Sequence, residues 1–220
     1  MKRLWSILWL CIASLAFADG FIIIPEPPPW PHPPPPHPRP IPWHHPHLFA
    51  PMEVIRHQVQ VEIDGQAAVT QVDQVFRNPN LTRLEGIYFF PLPEVAAPEK
   101  FEMELNGKAV QAELLGAERA RGLYEDIVRK MQDPALLEYA GRGAFRMRIF
   151  PIEPNSECRV KLKYSQFLVA GSGFAEYRYP LNTEKFSAAP LQEASVTVAL
   201  KSPQPLGVLY SPSHPVTITR

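Results

Sequence analysis

Five histidines, His32, His37, His44, His45 and His47, crowd one short stretch of the chain, and the run "HHPH" puts three of them within four positions. Neutral imidazoles at such density suit Zn, Cu or Ni. No cysteine or carboxylate stands among them at ligand spacing, and a site needs a scaffold to hold its geometry. Adventitious metal binding and a spacer that merely tolerates histidine therefore stand beside a specific site. A second candidate is basic. Arg146 and Arg148 alternate with apolar residues in "AFRMRIF", as do Arg159, Lys161 and Lys163 in "CRVKLKY". If the two runs are neighbouring strands, their charges merge into a face for an acidic partner or a polyanionic sugar. The alternative is a solvated sheet face whose cations discourage edge-to-edge association, and nearby Glu153 and Glu157 favour it.

Enzyme chemistry finds little support. No G-x-S-x-G, no H-E-x-x-H and no glycine-rich phosphate loop occurs, and His57 and His214 are the only histidines outside the cluster. Glu102 and Glu104 alternate with core residues and point outward, without the burial that tunes a general acid. Cys158 lacks a neighbouring His or Asn to activate it and reads as a small residue at a strand start. Intermolecular pairing of that thiol stays open. The expectation is a protein that is not an enzyme and has no resident cofactor beyond metal on the histidine cluster. With 22 basic and 22 acidic residues, the 220-residue chain has no global charge to draw nucleic acid or an anionic membrane.

The elements that position these residues fall into four segments. Residues 1–18 have Lys2 and Arg3, an apolar run from Leu4 to Phe17, and Ala16-Phe17-Ala18 before Asp19. That is a secretory signal peptide pattern, too short for a retained anchor, with cleavage expected after Ala18. Its removal takes Cys11 away and leaves Cys158 alone, so no internal disulfide is expected. Residues 19–51 are dense in proline and hold the histidines with Trp30 and Trp43, which predicts a disordered, extended arm that serves as tether or binding peptide. Residues 52–170 read as the folded domain, and 171–220 as additional strands.

Within 52–170 the periods are clear. "HQVQVEID" alternates Val59, Val61 and Ile63 with polar residues, and Asp64-Gly65 supplies a turn. The return run has Val72 and Phe76 on one face and Val69 and Val75 on the other, which predicts a central strand. "LEGIYFF" predicts a strand ending near Phe90. Asn106-Gly107 joins a hairpin. Ala120, Leu123, Tyr124, Ile127, Val128 and Met131 follow a helical period, which predicts one amphipathic helix lying on a sheet. Asp133-Pro134 suits a helix start for the turn "DPALLEY".

The ordered blocks "DQVFRNPN", "IYFFPLP", "FEMELNGK", "ERARGLYEDIVR", "DPALLEY", "FRMRIFPIEP" and "VKLKYSQFL" resemble the VIT domain, the vault protein and inter-alpha-trypsin inhibitor heavy chain module, over roughly Val54 to Leu168. The resemblance implies a mainly β protein, an antiparallel β-sandwich-like domain with one amphipathic helix, and a role in interaction or scaffolding. It also implies a von Willebrand type A domain downstream. No aspartate here begins the Asp-x-Ser-x-Ser loop of a metal-binding type A domain, and Asp64, Asp73, Asp126 and Asp133 have the wrong followers. The adhesive metal site is thus not expected within these residues.

The last residues, "LGVLYSPSHPVTITR", alternate Val216 and Ile218 up to the end, which reads as a further strand and as the front part of a longer adhesive VIT and type A protein. Together these features predict an exported module in periplasm, cell surface or medium, contacting a protein, matrix or envelope partner. No nucleic-acid partner is expected, and no transmembrane segment after leader cleavage. A metal-binding protein working through its histidine arm is the alternative. Asn80-Leu81-Thr82 is a glycosylation sequon that counts only in a eukaryotic cell.

Overall fold

The computed structural model describes residues 20–24, 49–93, 95–110, 113–114, 144–171, 174–179, 181, 187, 189–202 and 207–219. The leader, the five arm histidines, the amphipathic segment and "DPALLEY" lie outside them. Among the described residues all regular structure is strand, with no helix.

Alternation creates the larger sheet. Strands β2 (Glu53–Asp64) and β3 (Ala67–Arg77) pair antiparallel around Gly65, whose φ of 58° suits the first position of a tight hairpin turn. Strand β3 is central as its two apolar faces predict, for its other edge carries β9 (Glu157–Phe167). Beyond β9 come β5 (Ala97–Leu105) and its hairpin partner β6 (Lys108–Val110), joined by Asn106 and Gly107 at φ of 50° and 75°. The opposite edge holds β12 (Glu193–Lys201), which runs parallel to β2. The sheet therefore has six strands in the order β12-β2-β3-β9-β5-β6.

A second sheet combines β1 (Phe21–Ile23), β4 (Leu84–Pro91), β8 (Ala144–Ile152) and β7 (Glu113–Leu114) in the order β1-β4-β8-β7. Two short strands, β10 (Ala170–Gly171) and β11 (Phe174–Ala175), pair separately. Residues of both large sheets share one core: Val72, Phe76, Leu162 and Tyr164 from the first, Ile22, Tyr88, Phe90 and Ile149 from the second. Phe76 and Tyr88 meet edge to face at 6.0 Å, and Phe90 and Tyr164 meet at a tilt of 51° and 5.9 Å. Each buried aromatic or aliphatic side chain there contributes about 1.5–3 kcal/mol.

Two expectations need correction. Phe21–Ile23 does not belong to an extended arm: all three residues are buried and pair in register with Ile87–Phe89. Four apolar residues stand ahead of the first proline, Pro25, and three of them, Phe21–Ile23, suffice to complete an open sheet edge. Gly86 makes room for them, since a Cβ there would stand 2.5 Å from Ile22 Cγ2. At the other end, Val216 and Ile218 are exposed and form no strand, because alternation without a partner edge has nothing to pair with.

Ile22→Ala should lower stability by roughly 2–4 kcal/mol in urea unfolding. A change within about 0.5 kcal/mol, the ordinary effect of a surface substitution, would mean that β1 is not part of the core.

Candidate functional site

The two basic rows lie on different sheets. Arg146 and Arg148 belong to β8, whereas Arg159, Lys161 and Lys163 belong to β9. They are not neighbours, so the condition for one merged basic face is not met. Arg148 is instead held by Glu85, with Nε and Nη2 donating to the two carboxylate oxygens at 2.6 and 2.8 Å. On β9, Arg159 donates through Nε to Asp73 of β3 at 2.9 Å and lies 3.9 Å from Glu104 of β5. Lys161 reaches Glu104 at 3.3 Å, and Lys163 reaches Glu99 at 2.8 Å. Strands β3 and β5 thus supply a carboxylate for each described β9 cation.

These pairs shape the local electrostatics. Burial alone would raise the Asp73 carboxyl, but the bond from Arg159 and the charges of Arg159, Arg56 and Lys161 hold it below the usual carboxylate range. The Glu99 carboxyl is lowered first by its bond with Lys163. Exposed cross-strand pairs of this kind add little stability, because solvent screens them.

A cluster that sequence reasoning passed over lies on the inner face of the six-stranded sheet. His57 and Gln74, opposite each other on β2 and β3, are wholly buried. The Gln74 amide nitrogen donates to the Gly20 carbonyl and bonds to His57 Nδ1, both at 2.9 Å. Its oxygen accepts the Tyr88 hydroxyl at 2.8 Å. An amide nitrogen only donates, so Nδ1 must accept, and the imidazole proton sits on Nε2, 2.8 Å from the Tyr179 hydroxyl. Nearby, Thr70 and Tyr177 bond hydroxyl to hydroxyl at 2.8 Å. The signal was present in sequence: Thr70 and Gln74 occupy the core-facing positions of β3 between Ala68, Val72 and Phe76.

This cluster ties distant segments together. Gly20 has no room for a side chain, because a Cβ would meet the Tyr88 hydroxyl and the Gln74 amide. The cluster joins the chain just before β1 to both large sheets and to residues 177–179. Burial drives the His57 pKa from its ordinary 6.5 to about 4, so the ring is neutral at physiological pH.

The remaining candidates are structural here. Cys158 is buried, and burial pushes its thiol up to about 12, far from a nucleophile's range. The Asn80 amide nitrogen donates to the Ala50 carbonyl and to Asn78 Oδ1, both at 3.0 Å. Among the described residues, no group of three His, Cys, Asp or Glu side chains is placed to hold a metal, and no helix is long and apolar enough to cross a membrane.

Residues 54–164, just over half of the chain, match the Vault protein inter-alpha-trypsin domain, abbreviated VIT. The chain belongs to the VIT family. The chain is 33% identical over 120 residues to human von Willebrand factor A domain-containing protein 5A, covering 54% of this chain and 15% of that protein. The rat protein of the same name is 28% identical over 167 residues, covering 73% of this chain and 20% of its own length. This chain therefore spans a fifth or less of these relatives. Among solved structures, an M1 zinc metallopeptidase from Deinococcus radiodurans superposes with a TM-score of 0.32 at 12% identity, over 70% of this chain and 33% of that one, too loosely to bear on fold or function. The VIT match begins in β2 and ends in β9. Strands β1 and β12 fall outside it, yet they complete its two sheets.

The buried His57 makes the VIT domain acid-sensitive. With the folded pKa below the unfolded one, the unfolded chain binds the extra proton between pH 6.5 and about 4. Stability from this group is full above 6.5 and falls as pH drops through that window, by about 1.4 kcal/mol per pH unit. His57→Gln should flatten the slope of unfolding free energy against pH in that window. An unchanged slope would show that His57 is not the group responsible.

Proposed function

We propose that this chain is an exported, non-enzymatic interaction module, a β-sandwich VIT domain with the proline- and histidine-rich segment lying in sequence between its strands β1 and β2. The observation that carries the reading is the VIT match over residues 54–164. Two features support it. The conspicuous charged and polar groups of the described domain are engaged in holding strands together, through Arg159 with Asp73 and Gln74 with His57. The leader pattern predicts cleavage after Ala18, which would keep the buried strand β1 intact in the mature chain.

The partner class is a protein or an envelope or matrix component, in keeping with the von Willebrand factor A domain-containing relatives. Export is tested by expressing the full chain in a secretion-competent host and sequencing the N-terminus of the exported product. Asp19 as first residue is the expected outcome; an intact Met1 in the cytosolic fraction alone would refute export. Interaction is tested by cross-linking in the native compartment, where covalent adducts through the domain are expected and their complete lack would count against a scaffolding role.

A second reading rests on the "HHPH" run, which gives the arm a capacity for Zn, Cu or Ni. Deleting residues 25–48 spares β1 and separates the two. Titration with Zn alone should lose its binding heat on deletion if the arm is a site, and binding that survives would place the metal elsewhere.

A further inference from the structure

Strand β12 is the long open edge of the domain. Among the described strands it pairs on one side only, with β2, while the other sheet ends at β6, β1 and β7 are two or three residues long. Its sequence, "EASVTVALK", contains neither proline nor charge between Glu193 and Lys201. Natural edges are usually blunted by such residues. Val196 and Val198 are 46% and 50% exposed, although their partners on β2, Val59 and Val61, are 1% exposed on the same sheet face. The apolar layer of the sheet thus runs out uncovered at β12.

The hydrogen-bonding direction of β12 is also defined. Gly65 N–H donates to the Lys201 carbonyl at 3.1 Å, so the odd-numbered residues turn their backbone groups toward β2. Ala194, Val196, Val198 and Leu200 turn theirs toward the free edge. Only registers that oppose even with even positions can then bond across it.

We propose that β12 pairs antiparallel with β12 of a second copy of this chain about a twofold axis at Thr197, joining two six-stranded sheets into one. This register obeys the parity rule. It sets Val196 opposite Val198 as hydrogen-bonded pairs and Thr197 opposite Thr197 as a non-bonded pair. On the polar face it brings Glu193 against Lys201 at both ends. Self-pairing in the parallel sense would oppose Glu193 to Glu193, and an unrelated strand would have no reason to match these end charges. The contact is isologous and closes as a dimer. It supplies a partner for the interaction module proposed above and rests on that reading only for its purpose. A monomeric result would sink the self-pairing, whereas the cross-linking experiment above judges the module.

The test uses the full chain carrying Cys11→Ser, with Cys158 buried and out of reach. Thr197→Cys should give a covalent dimer under mild oxidation, since facing residues of a non-bonded antiparallel pair have Cα atoms about 4.5 Å apart, within disulfide reach. Ser195→Cys, which would face Ala199, should not. Light scattering should show a concentration-dependent dimer, weakened at least about tenfold by Val198→Pro, which removes an N–H that β2 does not use. Lys201→Glu should weaken it too, and Glu193→Lys added to it should restore pairing. A thermal melt of each variant checks that the monomer still folds. A monomer at concentrations on the order of 100 µM with no cross-link at 197 would overturn the proposal. A stronger cross-link at 195, or a dimer indifferent to Val198→Pro in a folded variant, would do the same.

Discussion

The Gln74 side chain is the interaction on which the rest of the structure leans. It sits on the core-facing side of the central strand, where an unpaired amide would cost about 1–3 kcal/mol per orphaned group. Both of its N–H groups are used, one on the Gly20 carbonyl and one on His57, and its oxygen takes the Tyr88 proton. One amide therefore links β2, β3, β4 and the residue that leads into β1. Since Tyr88 also packs against Phe76 and Phe90, the polar bonds and the aromatic core hold the same two sheets together.

That arrangement explains why the chain preceding the proline-rich segment is part of the fold. Ile22 fills space above Gly86, and Gly20 passes where no side chain fits. A protein that uses a buried histidine, a glutamine and three tyrosines to fasten residue 20 and residues 177–179 to its sheets gains a single conformation. In exchange it becomes sensitive to acid, because the imidazole bonded to Gln74 cannot take up a proton at Nδ1 without turning the amide away.

The outer face follows a different rule. Cross-strand geometry places Asp73 and Glu104 on either side of Arg159, and Glu104 also serves Lys161. Alternating signs across neighbouring strands leave little net field for a charged ligand to find. Recognition by backbone pairing at a sheet edge needs no such field, which is why the edge of β12, unpaired among the described strands, carries more meaning than the charged face.

Several elements were legible from local pattern alone. The period of two defined β2, β3 and β9, Asn106-Gly107 defined the β5–β6 hairpin, and the ordered blocks pointed to the VIT family that residues 54–164 match. Such features depend on neighbours in sequence: a strand shows its buried face every second residue, and a turn needs its own φ values. What lay beyond sequence was pairing between distant residues. Alternation in β8 and β9 revealed which side faces water, but not that the strands lie in separate sheets. Nor did it reveal that carboxylates from β3, β4 and β5 would meet their cations. Thr70 and Gln74 on an apolar face marked a buried polar site, yet its partners come from residues 20, 57, 88, 177 and 179. Local pattern was enough for the long strands β2, β3 and β9 and their faces, because those follow from backbone geometry a few residues long. Whether a short apolar run such as Phe21–Ile23 or residues 216–218 becomes a strand, which edges meet and which polar groups are satisfied depended on proximity in space, because hydrogen bonding and packing need a partner.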